Sequence, residues 1–549
     1  MAIYRSHVLV CGGTPCLLKG ARLIKDLLQQ EIGHYQLTEE IRVVETGCLG
    51  PCDEGPVVIV YPEGVMYSRL QPADIPRIVE NHLFKGRVVE ELVYKELKPV
   101  GRSEASGITL EEEKYLGRQK RVVLRNCGRI DPDSIEEYIA NQGYQGLGEA
   151  VTKLHPEQVV QIVTDSKLQG RGGAGFPTGL KWSFTAKTAA DRKYIVCNAD
   201  EGEPGTFKDR LIMEGDPHSI IEGMAIAGYA VGAENGIIYI RGEYKLSIER
   251  MMNAIKQAHN HGLLGKGIFG SAFNFEIQVR SGAGAYVCGE ETALLESLEG
   301  QRGEPRVKPP YPGIAGLWGK PTVVNNVETL ANIAPIILNG ADWFRKIGTE
   351  SCPGTKVFTM LGDVNNQGLV EVPMGISLRE IVYEVGGGIP GGKAFKMAQT
   401  GGTSGGCLPA EFLDMPMDYD TLNKAGSALG SGAMLIIDET HCIVDVLQSF
   451  MKFFCHESCG KCTPCREGNP RLLEILTKLA EGTATEVDLE LMREVARTMQ
   501  LTALCGLGQS APNSIVSCFR YFADEIQAHL NGKCPTGVCK KLTLESEAV

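Results

Sequence analysis

The sequence predicts a multidomain α/β chain that ends in a helical bundle. Its 549 residues allow three to five domains at about 100–200 residues each. From residue 121 to about 350, strands and helices alternate with glycine-rich loops, and after about residue 436 the apolar spacing turns helical. Cysteines cluster in short Gly/Pro-rich turns near both ends of the chain, a placement that suits metal ligation more than core filling.

Composition narrows the class. A hydrophobic share of 43% and a charged share of 22% fit ordinary globular domains with full cores. A formal charge of −12 argues against nonspecific nucleic-acid binding, because no basic excess offsets phosphate repulsion. No apolar run reaches the ~18–20 residues of a membrane span, and the N-terminus lacks the apolar core of a signal peptide. A cytoplasmic protein is expected, in which 18 cysteines read as thiolates rather than disulfides.

The elements follow in order. Residues 1–85 read as a small α/β unit, with strands at His7–Val10, Ile41–Val44 and Val57–Val60, a helix over 18–31 and a closing helix over 73–82. A charged, irregular linker is expected at 86–120. Residues 121–350 form the large α/β domain, with strands at Tyr194–Cys197, Gly236–Ile240 and Phe275–Val279. Residues 351–435 show short strand runs and glycine pairs, a small β-rich module. Residues 436–530 supply four helices, at 442–454, 468–481, 487–503 and 511–530, and 531–549 form a tail.

The C-terminal cysteines are the sharpest motif. Cys459, Cys462 and Cys465 have the C-x2-C-x2-C spacing that curls one turn around a [4Fe–4S] cubane. The fourth thiolate is assigned to Cys505, in a glycine-flanked turn. At the other end, Cys11 and Cys16 (C-x4-C) and Cys48 and Cys52 (C-x3-C) follow predicted strands in Gly/Pro-rich loops. Four thiolates at one end of a small sheet suit a [2Fe–2S] rhomb. Tetrahedral zinc is the competing reading, but zinc pairs more often have x2 spacing. The spacing resembles the thioredoxin-like [2Fe–2S] ferredoxin module, without the C-x2-C of a catalytic thioredoxin.

Gly170-Arg171-Gly172-Gly173-Ala174-Gly175 matches G-x-G-x-x-G formally, yet it follows a predicted helix, whereas a dinucleotide fingerprint follows a strand. Bare amides with Arg171 and Lys181 still make a cradle for phosphate or a flavin's polar edge. Asn198–Gly205 is a carboxylate-rich loop directly after a strand, where ribose or ribityl hydroxyls are commonly held. Asn325-Asn326-Val327-Glu328-Thr329 is expected to open a helix.

Together with Gly289-Glu290-Glu291-Thr292-Ala293-Leu294, these segments resemble the flavin- and NADH-binding subunits of respiratory complex I and its soluble relatives. The layout is most similar to the diaphorase (beta) subunits of multimeric NAD-dependent [FeFe]-hydrogenases and formate dehydrogenases. The resemblance implies a Rossmann-like FMN/NADH domain at 121–350, a ubiquitin-like SLBB β-grasp module at 351–435 and a [4Fe–4S] helical bundle. It maps flavin contacts onto Gly170, Arg171, Gly172, Lys181, Asn198, Asp200, Glu201, Tyr286, Gly289, Glu290, Asn325, Asn326 and Thr329. NADH contacts map onto Phe176, Phe184, Glu203, Glu291, Lys308 and Tyr311, with the aromatics stacking adenine. FMN carries the chemistry, so no side chain is expected to be catalytic. Glu291 beside the adenosine ribose predicts NADH over NADPH, since a 2′-phosphate would meet like charge.

The implied function is hydride exchange between NADH and FMN, then single-electron transfer through both clusters to partner subunits. Those partners would be a small [2Fe–2S] subunit and a hydrogenase or formate dehydrogenase subunit, with ferredoxin added if the complex is electron-bifurcating. A complex I-like quinone reductase and a non-catalytic iron–sulfur scaffold are the alternatives. Among the remaining cysteines, Cys442 and six others read as core or loop residues. Cys455, His529, Cys534 and Cys539 are expected to form a zinc site, with His456 an equal donor and an unliganded tail the alternative. Any further cluster outlet is expected from a partner, because the sequence stops at Val549.

Overall fold

The computed structural model describes residues 4–94 and 118–542. Most of the expected linker (95–117) and the last seven tail residues (543–549) lie outside the described residues. Three sheets and a helical bundle make up the rest.

The first sheet has the order β2-β1-β3-β4. β1 (Ser6–Cys11) pairs parallel with β2 (Ile41–Thr46) and antiparallel with β3 (Val58–Tyr61), which pairs with β4 (Val65–Tyr67). The parallel β1/β2 pair needs a crossover, supplied by α1 (Ala21–His34), which buries Ala21, Ile24, Leu28 and Ile32 on one stripe. The short β4 is an element that the sequence pattern does not announce. The closing helix begins at Ile75 and continues as a π-helical turn to Phe84.

The second sheet is wholly parallel, in the order β7-β6-β5-β8. β5 (Tyr194–Ala199) and β6 (Asn235–Ile240) are almost continuously apolar and buried, as strands covered on both faces must be. β7 spans Glu276–Ser281 and β8 spans Thr322–Asn326. The chain runs outward from β5 to β7, then returns to place β8 on the other side of β5. That reversal is the topological switch point, where open α/β sheets bind ligands beyond the strand C-termini. The Asn198–Gly205 loop and Asn325/Asn326 both lie there. Asn326 closes β8 and caps the next helix through Glu328 N at 3.0 Å, so the predicted helix opening is a strand end as well.

The third sheet has the order β10-β9-β13-β11-β12. β9 (Thr355–Gly362) and β13 (Ala433–Asp438) pair in parallel at its centre, flanked by β10 (Gly368–Pro373), β11 (Phe395–Thr400) and the edge strand β12 (Cys407–Pro409). Buried Glu371 of β10 accepts the amides of Val122, Val123 and Leu124 at 2.8–2.9 Å, fixing this sheet to the segment that precedes the parallel-sheet domain.

The C-terminal helices span Ile443–Glu457, Thr463–Glu481, Glu486–Thr502, Gly506–Ser510, Asn513–Tyr521 and Ala523–Leu530. The expected helix over 511–530 is broken at Phe522 into two. Among the described residues, no helix is long and apolar enough to cross a membrane.

Candidate functional site

At the switch point the loops after β5 and β8 emerge side by side, Asn198 pairing with Asn326. Asp200 is the informative residue. The residue is only 7% exposed, and neither carboxylate oxygen has a hydrogen-bond partner. Burial pushes its pKa up to about 7. A buried acceptor left without donors is costly, so this carboxylate could take hydrogen bonds from a ligand that brings hydroxyl donors.

The surrounding residues frame that acceptor. Asn198 accepts from Asp200 N at 3.1 Å and donates through Nδ2 to Gly289 O at 2.8 Å. This joins the β5 loop to the Tyr286–Gly289 turn. Gly170 N bonds Phe176 O at 2.9 Å, closing the glycine loop on itself. Thr329 Oγ1 accepts from Arg171 N at 2.8 Å, and Trp182 Nε1 donates to Asn325 Oδ1 at 2.8 Å. The glycine loop, β8 and the helix Thr178–Lys187 are thereby held in one frame.

Several expected contacts turn out to be internal. The Arg171 side chain is fully buried and donates to the carbonyls of Thr355, Pro353 and Gln169. Its guanidinium ties the loop to the third sheet, so the expected cationic wall of the cradle reduces to backbone amides and Lys181. Glu201 accepts from Asp209 N at 2.8 Å, Arg210 N at 3.1 Å and Tyr244 Oη, so it anchors the helix Lys208–Gly215. Asn326 is engaged by Lys208 Nζ, Asp209 and Glu328 N. Glu203 is buried, with Thr403, Ser404 and Tyr286 donating to its carboxylate. A Cβ on Gly402 would sit 2.2 Å from Glu203 Cγ, so only glycine lets the 401–406 loop close over that carboxylate.

The outer part of the site is charged and aromatic. Lys181 Nζ lies 3.1 Å from Glu291, and Lys308 Nζ lies 3.2 Å from Glu291 and 2.8 Å from Glu290. Burial works against the Glu291 charge, but the two lysines outweigh it and hold its pKa below the ordinary glutamate range. Glu290 also caps the helix Glu291–Leu298 through Thr292 N and Ala293 N. Phe176, Phe184 and Tyr311 all expose large aromatic surface. Sequence reasoning missed Lys208, Glu328 and Lys356, a fully buried ion cluster in which Lys208 Nζ sits 3.0 Å from Glu328 and Lys356 also pairs with Glu328. Lys356 comes from β9, and no local pattern links it to residue 208.

Cys459, Cys462, Cys465 and Cys505 line one cavity together with Val287 and Pro305 of the parallel-sheet domain. Asn469 Nδ2 points at Cys465 Sγ at 3.3 Å, and Leu504 N at Cys462 Sγ at 3.5 Å, donors of the kind that tune a cluster's potential. Arg302 holds Cys459 O and Lys461 holds Pro305 O, each at 2.8 Å. The Tyr286–Gly289 turn therefore serves two sites: Gly289 braces Asn198, and Val287 lines the cysteine cavity.

The N-terminal cysteines also converge. Cys48 and Cys52 sulfurs are 3.7 Å apart, and the neighbouring thiols of Cys16 and Cys48 hold the Cys11 pKa well below the ordinary thiol value. Their loops pack on the helix Lys208–Gly215, where Glu214 accepts Thr14 N at 3.0 Å and Thr14 Oγ1 at 2.6 Å. A Cβ on Gly47 would lie 2.4 Å from Gly215 Cα, a backbone approach only glycine allows.

The tail site differs from expectation in one ligand. Cys442, His529, Cys534 and Cys539 place their donor atoms within 4.8 Å of one another. Cys442 Sγ is 3.2 Å from His529 Nε2, and His529 Nδ1 is 2.8 Å from Glu525 O, which leaves Nε2 for a metal. Cys455 is outside the cluster. It lies 13 residues along the helix that Cys442 caps, about 20 Å at 1.5 Å per residue, and the Cys442 end is the one pinned to Glu525 through Ile443 N at 2.9 Å.

Comparison with known proteins agrees with this layout. Residues 163–335 match the Nuo51 FMN-binding domain, and 445–529 match the NADH-ubiquinone oxidoreductase-F iron–sulfur binding region. Residues 2–83 match the thioredoxin-like [2Fe–2S] ferredoxin and 357–408 the SLBB domain. The chain is 55% identical over 426 residues to the NADP-reducing hydrogenase subunit HndC of Solidesulfovibrio fructosivorans, covering 77% of this chain and 86% of that protein. It is 48% identical over 415 residues to an NADH-quinone oxidoreductase F-type subunit of Rhizobium meliloti (strain 1021), covering 75% of this chain and 99% of that protein. The crystal structure of an NAD+-reducing [NiFe]-hydrogenase in the H2-reduced state aligns with a TM-score of 0.67 at 32% identity, covering 96% of this chain and 84% of that one.

Proposed function

The chain belongs to the family of flavin- and iron–sulfur-carrying NADH dehydrogenase subunits that includes the F-type subunits of NADH-quinone oxidoreductase and HndC, and from that premise we propose how its residues divide the work. The protein is an NADH-oxidising subunit of a hydrogenase or complex I-type assembly, with FMN, [4Fe–4S] and [2Fe–2S] groups. FMN, when bound, accepts a two-electron hydride and releases electrons singly.

The protein's own residues bind and orient. The amides of Gly172 and Gly289 line the flavin site, Gly170 shapes the loop through its bond to Phe176 O, and Asp200 accepts the flavin's hydroxyls. Asn198, Asn325, Asn326, Thr329, Arg171 and Glu201 hold that frame in place. Phe176, Phe184 and Tyr311 stack the adenine, while Glu291, set by Lys181 and Lys308, receives the adenosine ribose. Glu203 and Tyr286 close the inner wall. Cys459, Cys462, Cys465 and Cys505 hold the cubane, and Cys11, Cys16, Cys48 and Cys52 the rhomb. Cys442, His529, Cys534 and Cys539 hold zinc. Domain limits near residues 85, 120, 350, 435 and 530 fit this division of labour.

The observation that supports the reading is the shared Tyr286–Gly289 turn: Gly289 O accepts from Asn198, and Val287 lines the four-cysteine cavity. Partner subunits of a cytoplasmic hydrogenase or formate dehydrogenase, including a small [2Fe–2S] subunit, would take the electrons. The test is anaerobic mixing of the FMN- and cluster-loaded protein with NADH. Flavin absorbance should bleach within the mixing time; an unchanged spectrum would support the scaffold reading instead.

A further inference from the structure

The helices on either side of the Cys505 turn form a groove that the flavin and cluster sites do not use. Glu486–Thr502 runs into the turn, and Asn513–Tyr521 follows it after the short helix Gly506–Ser510. Between them is an open groove of about 620 Å³ lined by Arg493, Arg497, Leu501, Val516, Phe519 and Arg520, among others. Arg493, Arg497 and Leu501 stand four residues apart on one strip of the first helix; Val516, Phe519 and Arg520 share one face of the second.

The chemistry of this lining is unusual for the chain. Leu501 is 71% exposed and Val516 41%, although apolar side chains this open are ordinarily isolated. Arg493 stacks over Phe519 at 4.8 Å, and Arg520 over Tyr521 at 5.1 Å. Ring stacking orients a guanidinium without neutralising it. Among the described residues, none of the three arginines has an ion-pair partner, and no carboxylate lines the groove. Glu490 and Glu494 of the same helix are exposed outside it. A cationic strip on a chain of net charge −12 is a local reversal of sign.

The far wall is rigid. Asn513 donates to Ser404 O and Ser514 to Gly405 O, each at 2.9 Å, and Ser517 accepts from Cys407 N at 2.9 Å. The opposite face of that helix is thus fixed to the loop that closes over Glu203. Leu504, one turn beyond Leu501, already lines the cubane cavity.

We propose that this groove docks an acidic one-electron carrier protein, whose carboxylates meet the three arginines and whose apolar surface covers Leu501 and Val516. Apolar side chains beside arginines are common at protein interfaces, and Leu501 at one end of the strip stands three residues from Leu504 of the cubane cavity, which makes this face the exit for electrons. The inference rests on the proposed NADH oxidation through the cubane. Each NADH yields NAD+, one proton and two electrons, which reduce two molecules of a one-electron acceptor.

The test uses the fully loaded protein with three acceptors: soluble cytochrome b5, an acidic protein; cytochrome c, a basic one; and ferricyanide, which needs no docking. Steering by complementary charge is worth on the order of 10- to 1,000-fold in association rate. R493E/R497E should lower kcat/KM for cytochrome b5 at least about tenfold at low salt and abolish its fall with added salt. Ferricyanide reduction and NADH bleaching should stay unchanged, and cytochrome c reduction should not fall. R493K/R497K should keep the salt dependence. Unchanged cytochrome b5 kinetics would overturn the proposal, and would do so in favour of a contact between copies if sedimentation showed an altered oligomer. Equal loss with all three acceptors, in R493E/R497E and R493Q/R497Q alike, would place the defect in the cluster and also overturn it. Failure of NADH bleaching in the unsubstituted protein would instead remove the underlying reading.

Discussion

Asp200 and Glu291 are carboxylates of one site with opposite electrostatics, and each gives a test. Burial raises Asp200 to about 7, so without ligand it is largely protonated at pH 6. Hydroxyl donors favour the charged form, so FMN binding at pH 6 should release a proton through this group, and less at pH 8, where it is already ionised. Calorimetry in buffers of different ionisation heat measures that release, and D200N should lose it. The same raised pKa means the ligand-free fold binds more protons than the unfolded chain between the ordinary aspartate value and about 7, so its stability falls as pH rises through that window. Glu291 is held charged by Lys181 and Lys308. E291Q removes the carboxylate partner of Lys181 while Lys308 keeps Glu290, so Lys181 can meet a 2′-phosphate and kcat/KM for NADPH should rise about tenfold, equivalent to about 1.4 kcal/mol; an unchanged NADH/NADPH ratio would count against Glu291 at the ribose. The residue types at both positions were legible in the sequence. The direction of the Arg171 side chain was not, because it depends on carbonyls about 180 residues away.

At the scale of elements, the helix Lys208–Gly215 acts as a strut. Its first turn is held by Glu201 of the β5 loop, and Glu214 near its end grips Thr14 of the N-terminal cysteine loop. Its first residue belongs to the buried Lys208–Glu328–Lys356 cluster, which joins the parallel sheet to the third sheet. Removing one member of a buried pair leaves uncompensated charge. E328Q would leave buried Lys356 without a carboxylate, Lys208 keeping Asp209, and should cost about 3–5 kcal/mol, read as a lowered unfolding midpoint. A midpoint within error of the wild type would mean the cluster is not a clamp. The C-terminal site offers a sharper discrimination: metal analysis should show C442S losing one zinc per chain and C455S retaining it. Zinc retained in both, or lost in both, would contradict the assigned ligand set. Local spacing suggested Cys534, Cys539 and His529, but the fourth ligand depended on which end of a helix meets the tail.

Across the whole molecule, the cysteine spacings and glycine loops made the order of units legible, and helical periodicity revealed the bundle. What the sequence could not convey was adjacency: the Tyr286–Gly289 turn between two sites, the backbone contact of Gly47 with Gly215, and the closure of the 401–406 loop over Glu203. Each joins residues far apart in the chain through backbone approach, which leaves no periodic trace. The central claim is that NADH electrons leave the flavin site through the Cys459–Cys462–Cys465–Cys505 cluster. The most direct measurement is freeze-quenched electron paramagnetic resonance of the fully loaded protein after anaerobic mixing with NADH, beside C505S. A reduced [4Fe–4S] signal is expected in the unsubstituted protein on the timescale of flavin bleaching, and its loss in C505S while NADH still bleaches the flavin. Bleaching in the unsubstituted protein with no cluster signal would contradict the claim.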